Sequence, residues 1–337
     1  MQQFFKVSLV ILALVLTSCS PAMVQETHLT GPTMGTTYNV KFVPNKELDE
    51  KQLKQQIDEL LVNINQLMST YIDDSELSQF NQWNSLEPFP MSKQTIEVLR
   101  EAKRLGKMSS GLLDVTVGPL VNLWGFGPQS RPEKIPSDAL IRATQKKIGL
   151  DKLTIGPTWA SKAIPNLYLD LSTIAKGYAV DQVAELLITH NIQNFLVEIG
   201  GEMRVSGVKA SGIAWRIAIE KPEAEQRAIQ EIISIGDNAV ATSGDYRIYY
   251  EQDGVRYSHL INPITGYPIS HNMVSVTVIH PSSMTADGLA TALIVMGKEK
   301  ALALAEKYDI AVLMITKEKD RYSEYTSAKF EQLITVH

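Results

Sequence analysis

The chain has 337 residues, of which 44% are hydrophobic and 20% are charged, and its formal net charge is −5. This length fits one large globular domain or two closely joined ones, and the acidic balance excludes a general nucleic-acid-binding protein. The single cysteine, Cys19, excludes an intramolecular disulfide.

The beginning of the chain has the pattern of a bacterial export signal. Lys6 precedes an apolar stretch over residues 7–16, which is too short to span a bilayer. Small residues then lead to Cys19 in the pattern of a lipobox. Ordinary cleavage beside an incidental cysteine is the alternative. We therefore predict a lipoprotein signal peptide over residues 1–18, lipidation of Cys19 and a tether over residues 19–30.

The first half of the remaining chain predicts helices joined by polar loops. Apolar residues recur every three or four positions, which predicts helices over residues 49–68 and 92–108. The polar loop after the first helix leads to a short helix that begins at Ser75. The segment over residues 113–127 is rich in Gly, Pro, Trp and Phe and favours a close-packed loop over a regular element.

The second half mixes strands and helices. A buried strand is predicted over residues 167–171, and the helix that follows over residues 174–189 has Ser172 or Thr173 as its cap. Further strands are predicted over residues 195–199, 215–220, 232–235, 239–242, 273–279 and 310–315.

A turn that ends in Gly254 predicts a hairpin between strands at residues 248–250 and 255–260. Two helices are predicted over residues 285–296 and 298–308. Runs of strands with helices packed beside them indicate an α+β fold with a mixed or antiparallel sheet.

Two polar clusters flank the strand predicted over residues 273–279. Asp287 and Thr291 lie four residues apart, so a helix places them on one face, where two hard oxygen donors can share a small cation. An acid in a first helical turn is the alternative for Asp287, but Thr285 already offers a cap there. His259, in the other cluster, has two interpretations: it bonds a loop carbonyl, or it serves catalysis or ligand binding.

Two further acids lie in apolar surroundings, where a carboxylate needs a partner. We expect Asp114 and Asp170 to bind a ligand with many hydrogen-bond donors. Lys176 stands near a helix start, where a cation is unfavourable unless an anion is present; a solvent-facing Lys176 is the alternative. Gly200 and Gly201 lack the rest of a dinucleotide fingerprint and indicate a tight turn. The absence of HExxH and paired CxxC motifs argues against catalytic zinc.

Several segments of the chain together resemble one known family, the ApbE-type flavin transferases, also called FAD:protein FMN transferases. The resemblance runs from about Gly31 to near the C-terminus. It rests on residues 31–38, 68–78, 114–127, 170–178, 200–202 and 242–244 and on the segments around His259 and Asp287.

The resemblance implies a flavin transferase domain over residues 31–337, with a T-fold-like core, an FAD cleft and Mg²⁺ at the pyrophosphate. It implies that FMN passes from FAD to a Thr or Ser hydroxyl of a target protein through a phosphoester bond, with release of AMP. The implied targets are membrane redox subunits of Na⁺-pumping quinone reductase or Rnf complexes. The lipid anchor then lies on the periplasmic side of the inner membrane, with the outer membrane as the alternative.

The family's site positions are carried over by residue. FAD contacts fall on Met34, Tyr71, Leu112, Leu113, Asp114, Asp170, Lys176 and Ile261. Metal positions fall on Thr173 or Ala175, Asp287, Ala290 and Thr291. Some members have an acid where Ala290 stands, so Ala290 offers only its backbone carbonyl, and others have Gly-Gly in place of Ser172-Thr173.

The base that serves the acceptor hydroxyl has two candidates. His259 is proposed to orient or deprotonate this hydroxyl, and Asp287 competes for the role. Two other functions use the same residues: a periplasmic flavin-binding lipoprotein without transfer activity, and an FAD pyrophosphatase in which water replaces the acceptor.

Overall fold

The structure, a computed structural model, describes residues 25–45, 47–127, 134–222, 229–246, 248–319 and 321–337. The predicted signal peptide over residues 1–18 and the lipidation site Cys19 lie outside these residues. Among the helices within these ranges, none is long and apolar enough to cross a membrane.

The described helices form a series along the chain. They are α1 (Glu50–Met68), α2 (Glu76–Gln82), α3 (Lys93–Met108), α4 (Gly118–Leu123), α5 (Asp138–Gln145), α6 (Ala175–Thr189), α7 (Ser283–Met296), α8 (Lys298–Lys307) and α9 (Ala328–Leu333).

The strands of the N-terminal half are β1 (Thr27–Thr33), β2 (Thr36–Phe42), β3 (Phe89–Pro90), β4 (Leu153–Ile155), β5 (Trp159–Lys162), β6 (Phe195–Ile199) and β7 (Glu202–Ser206). Those of the C-terminal half are β8 (Ile217–Glu220), β9 (Ile229–Ser234), β10 (Ala239–Gly244), β11 (Tyr249–Gln252), β12 (Val255–Ser258), β13 (Met273–His280), β14 (Ala311–Glu318), β15 (Arg321–Thr326) and β16 (Thr335–Val336).

The core of the fold is an eight-stranded sheet in the order β1-β2-β6-β7-β10-β13-β14-β15. Its neighbouring strands pair antiparallel throughout the described residues. Helices α1, α6 and α7 pack on this sheet in the main apolar core, and α3 packs against α7. The small sheet β16-β9-β8 and helix α9 contribute a second core. The predicted α+β class with an antiparallel sheet is confirmed.

Several helix starts follow directly from the sequence. The side chain of Asp49 accepts hydrogen bonds from the backbone N–H groups of Lys51 and Gln52 at the start of α1. Ser75 and Ser92 cap α2 and α3 in the same way. Such caps satisfy N–H groups that the helix leaves unpaired, which is why the predicted starts were close to the observed ones.

Three predicted features near the site are wrong. Residues 167–171 form no strand, because their backbone bonds go elsewhere: the N–H of Asp170 donates to Val115 and that of Leu169 to the side chain of Asn81. Helix α6 begins at Ala175 without a side-chain cap, so neither Ser172 nor Thr173 caps it. The segment predicted as a loop contains α4, which has a proline in its first turn.

The folded part of the chain begins earlier than Gly31. Strand β1 starts at Thr27 and pairs with β2 along its whole length. Residues 27–30 of the predicted tether therefore belong to the sheet, and residues 19–24 lie outside the described residues.

Candidate active site

A cleft with a cavity volume of about 400 Å³ lies where α6, α7, the end of β10 and the segment after β12 meet. Most of the predicted site residues line it, although they are far apart in the chain. The residues brought together are Tyr71, Leu112, Leu113, Asp114, Asp170, Thr173, Lys176, His259, Ile261, Asp287 and Thr291.

Three predicted positions do not line the cavity. Met34 lies in the β1–β2 turn with a positive φ of 48° and packs against the main core. Ala175 and Ala290 are buried in that core, and an alanine has no oxygen donor except its backbone carbonyl. The resemblance placed these three at the site by position in the motif.

Asp287 lies on α7 and is held by close packing against α6. Its Oδ2 accepts a hydrogen bond from the N–H of Gly177 at 3.0 Å. A Cβ at Gly177 would come within 2.3 Å of the backbone oxygen of Ser283 and 2.8 Å of the Asp287 Cβ. Only glycine allows the two helices to approach this closely, and this approach sets the position of Asp287.

The start of α7 is fixed by Asp181, a residue that the sequence did not single out. Its carboxylate accepts hydrogen bonds from Ser282 Oγ at 2.8 Å and from the N–H groups of Ser283 and Met284, each at 3.0 Å. Ser282, and not Thr285, is the N-cap residue of α7. The hydroxyl of Thr285 instead donates to Glu101 at 2.6 Å.

An ion pair stands beside Asp287. Lys176 Nζ lies 2.5 Å from Glu202 Oε1, and Glu202 is almost fully buried. Burial and the charge of Glu202 together raise the pKa of Asp287 to about 8, although the charge of Lys176 and the hydrogen bond from Gly177 oppose the rise. Burial also raises the pKa of Glu202. Glu202 and Asp287 thus share the single positive charge of Lys176, so a further cation that binds beside them is favourable.

The oxygen donors around Asp287 fit a magnesium ion. The described residues contain no cluster of three His, Cys, Asp or Glu side chains for a metal, so the candidate set is one carboxylate with hydroxyls and carbonyls. Thr173 Oγ1 and Glu202 Oε2 are buried without a hydrogen-bond partner among the described residues. Thr291 Oγ1 lies 3.3 Å from Ser243 Oγ. Hard oxygen donors of this kind suit Mg²⁺.

The two acids predicted to hold the ligand each stabilise a turn. Asp114 Oδ1 accepts hydrogen bonds from the N–H of Thr116 at 2.8 Å and from its hydroxyl at 2.6 Å. Asp170 Oδ1 accepts one from the N–H of Ser172 at 2.9 Å. Burial raises the pKa of Asp114. Both side chains face the cavity, where they can accept hydrogen bonds from a ligand.

His259 bonds a loop carbonyl and also lines the cavity, so both interpretations of its sequence context fit the structure. Its Nδ1 lies 3.0 Å from the backbone oxygen of Ile248. Because a carbonyl only accepts hydrogen bonds, Nδ1 carries the proton and Nε2 holds the free lone pair in the neutral ring. Burial lowers the pKa of His259, and the charge of Lys176 lowers it further. His259 is therefore a neutral base that lines the cavity.

A ladder of aromatic rings supports the segment that carries His259. Phe126 stacks on Tyr250 at 5.2 Å, and Tyr250 lies 5.3 Å from Tyr257. Trp124 stacks on Tyr257 at 5.5 Å and lies 5.8 Å from Tyr267. This aromatic ladder joins α4 to the β11–β12 hairpin over more than a hundred residues, and no local pattern signals such pairing.

Comparisons with known proteins agree with this fold. The sequence profile of the ApbE family matches residues 34–314. The FAD:protein FMN transferase of Vibrio cholerae is 55% identical over 324 residues, 96% of each chain. That of Escherichia coli is 41% identical over 342 residues, 98% of this chain and 97% of that one.

The solved flavin transferase ApbE from Vibrio cholerae matches the fold with a TM-score of 0.86 and 55% identity, over 92% of this chain and 99% of that chain. Fold and relatives together define a transferase with an antiparallel α+β architecture. The chain belongs to the ApbE family.

Proposed function

We propose that this chain is an FAD:protein FMN transferase that moves FMN from FAD to a Thr or Ser hydroxyl of a target protein. The observation that carries the proposal is the meeting of Asp287, Thr291 and His259 in one cavity. The first two supply oxygen donors for a cation at a pyrophosphate, and His259 supplies a neutral base. The names of the relatives in Vibrio cholerae and Escherichia coli support the same activity.

The reaction forms one phosphoester bond and breaks one bond of the pyrophosphate. The acceptor oxygen attacks the phosphorus on the FMN side, and AMP leaves with the bridging oxygen. His259 Nε2 takes the proton of the hydroxyl, since Nδ1 is already bound to Ile248. Asp287 remains the competing base. It suits that role less, because the same carboxylate is the charged donor proposed for the cation.

Mg²⁺ fits the donors Asp287, Thr291 and Thr173, which line the cavity; Ala175 and Ala290 would contribute only through backbone carbonyls. When bound, it neutralises the negative charge of the pyrophosphate and of the leaving phosphate. Asp114 and Asp170 bind amide, amino or hydroxyl groups of the flavin, adenine or ribose, because two carboxylates repel phosphates. Tyr71 and Ile261 supply apolar contacts to the rings.

The product balance tests the proposal. Enzyme, FAD, Mg²⁺ and a candidate acceptor are incubated, and AMP, free FMN and modified acceptor are quantified over time. Transfer predicts one modified acceptor for each AMP. Equal amounts of AMP and free FMN with an unmodified acceptor would identify the chain as an FAD pyrophosphatase, and FAD binding without AMP would identify a flavin-binding protein.

The cellular setting is a further part of the proposal. Lipidation at Cys19 attaches the protein to the periplasmic side of the inner membrane, where redox subunits of Na⁺-pumping quinone reductase or Rnf complexes are the targets. The lipobox pattern before Cys19 supports the lipidation, and the inner-membrane targets favour the inner over the outer membrane. Cells that express the chain are treated with globomycin, and the mass of the chain is then measured to test the lipidation at Cys19. An unprocessed precursor is expected, and unchanged processing would contradict the lipidation.

A further inference from the structure

One lysine and two buried acids meet inside the cleft, and the lysine pairs with only one of the acids. Lys176, Glu202 and Asp287 all line the cavity. The Nζ of Lys176 lies 2.5 Å from Glu202 Oε1. Asp287 is equally close to this part of α6, because its Oδ2 accepts a hydrogen bond from the N–H of Gly177, the residue after Lys176. The ammonium therefore has two neighbouring carboxylates and is held by that of Glu202.

The charges of the three groups confirm that they act on one another. Burial lowers the pKa of Lys176, but the charges of Glu202 and then of Asp287 raise it, and the net shift is upward. Lys176 is therefore an ammonium in the cleft, and its side chain is only 32% exposed. A charge in such a place needs an anion beside it.

The position of Glu202 is set by the backbone. Glu202 pairs with Ile199 across the turn between β6 and β7. The two residues of this turn, Gly200 and Gly201, have φ values of 59° and 109°, which suits a tight two-residue hairpin. The N–H of Gly201 also donates to Glu198 Oε1 at 2.7 Å. Glu202 is therefore a fixed anion at the first position of β7, and the longer lysine side chain reaches toward it.

We propose that Glu202 is a positioning residue that holds the Lys176 ammonium away from Asp287 and so leaves the Asp287 carboxylate free to bind Mg²⁺. This inference rests on the proposed function, in which Asp287 is the charged donor for the cation. Without the charge of Glu202, the ammonium would turn to another carboxylate. Glu198 does not offer one, because its two oxygens already accept hydrogen bonds from a backbone N–H and a side-chain amide. Asp287 accepts only the hydrogen bond from Gly177 among the described residues, so it would become the partner of Lys176.

The crystal structure of a Glu202→Gln variant, solved without metal, tests the movement of the lysine directly. Glutamine keeps the size of the side chain and removes its charge. We expect Lys176 Nζ within about 4 Å of the Asp287 carboxylate, the distance of an ion pair. A Lys176 side chain that stays beside residue 202 or turns into solvent would overturn the inference.

The affinity for Mg²⁺ tests the consequence of this movement. Calorimetry with Mg²⁺ alone is used, so that changes in FAD binding do not enter. Glu202→Gln should raise the Kd for Mg²⁺ about tenfold, because a carboxylate that the ammonium occupies for most of the time is available to the cation for only a fraction of it. Glu198→Gln, which removes a charge from the same turn, is the control and should change this Kd by no more than about twofold.

The double variant Lys176→Met with Glu202→Gln separates the positioning role from direct metal binding by Glu202. It should recover the wild-type Kd for Mg²⁺, since no ammonium is left to occupy Asp287. A double variant that binds Mg²⁺ as weakly as Glu202→Gln would mean that Glu202 itself is a ligand, and an equal loss in Glu198→Gln would mean a general effect of charge; either result overturns the inference. A wild-type enzyme that binds no Mg²⁺ would instead refute the metal site of the proposed function, and the inference with it.

Discussion

Replacing Asp181 by Ala should destabilise the fold by about 3 kcal/mol. The change removes the acceptor of three hydrogen bonds at the start of α7. Each hydrogen bond to a charged group contributes about 1.5–3 kcal/mol, though such values do not add fully. Asp181 also pairs with Arg204, whose Nη1 lies 3.3 Å from Asp181 Oδ1. Arg204 keeps a second partner in the variant, since it also lies 2.9 Å from Glu185. No unpaired cation is left, so the loss is limited to these three hydrogen bonds.

The assay is the free energy of unfolding from urea denaturation, with Glu185→Ala as the control. Glu185 is the exposed partner of the same arginine, and loss of an exposed ion pair costs at most about 1 kcal/mol. Because α7 carries Asp287, the Asp181→Ala variant should also need more Mg²⁺ for half-maximal transfer. A loss equal to that of the control would refute the idea that Asp181 fixes the start of α7.

Three further changes test individual parts of the site. His259→Ala should lower kcat for transfer by about 10²–10⁴ while the Kd for FAD stays within twofold, and unchanged transfer would remove His259 from the mechanism. Because the pKa of His259 is lowered, the ring stays neutral as the pH falls to 6.5. The acid limb of the kcat/KM profile should therefore lie below pH 6.5 and should disappear in His259→Ala. An acid limb centred above pH 6.5 would contradict this. Gly177→Ala should lower the free energy of unfolding by about 1–3 kcal/mol, since the added Cβ meets the backbone of Ser283. The same variant should weaken Mg²⁺ binding measured by calorimetry. A wild-type Mg²⁺ affinity would show that the close contact between α6 and α7 at Gly177 does not position Asp287.

The helices and strands with strong local signals were predictable from the sequence. The apolar period of α1 and α3 and their capping residues Asp49 and Ser92 are local features, and the structure confirms both helices. The run of buried residues in β13 likewise reflects a strand covered on both faces. The residues that determine these elements lie within a few positions of one another in the sequence.

The errors arose where tertiary contacts decide the backbone. Residues 167–171 have the composition of a buried strand, yet a side chain of α2 and the loop before α4 take their hydrogen bonds. Thr285 looked like a cap, but Ser282 lies at the helix start and Asp181 reaches it from α6. Neither partner is visible from the local sequence.

The order of the family's motifs along the sequence predicted most of the residues that line the site. Asp287, Thr291 and His259 were singled out, and the structure brings them into one cleft. The role of Glu202 was missed, because a buried acid after a glycine turn gives no sign of the lysine it pairs with. The aromatic ladder was missed for the same reason, since its rings come from separate segments.

The central claim is that this cleft joins FMN to a hydroxyl of another protein. The intact mass of the acceptor subunit after incubation with the enzyme, FAD and Mg²⁺ tests it most directly. We predict a gain of one FMN less one water, which is lost when the acceptor Thr or Ser is replaced by Ala. An acceptor of unchanged mass, with FAD consumed, would contradict the claim.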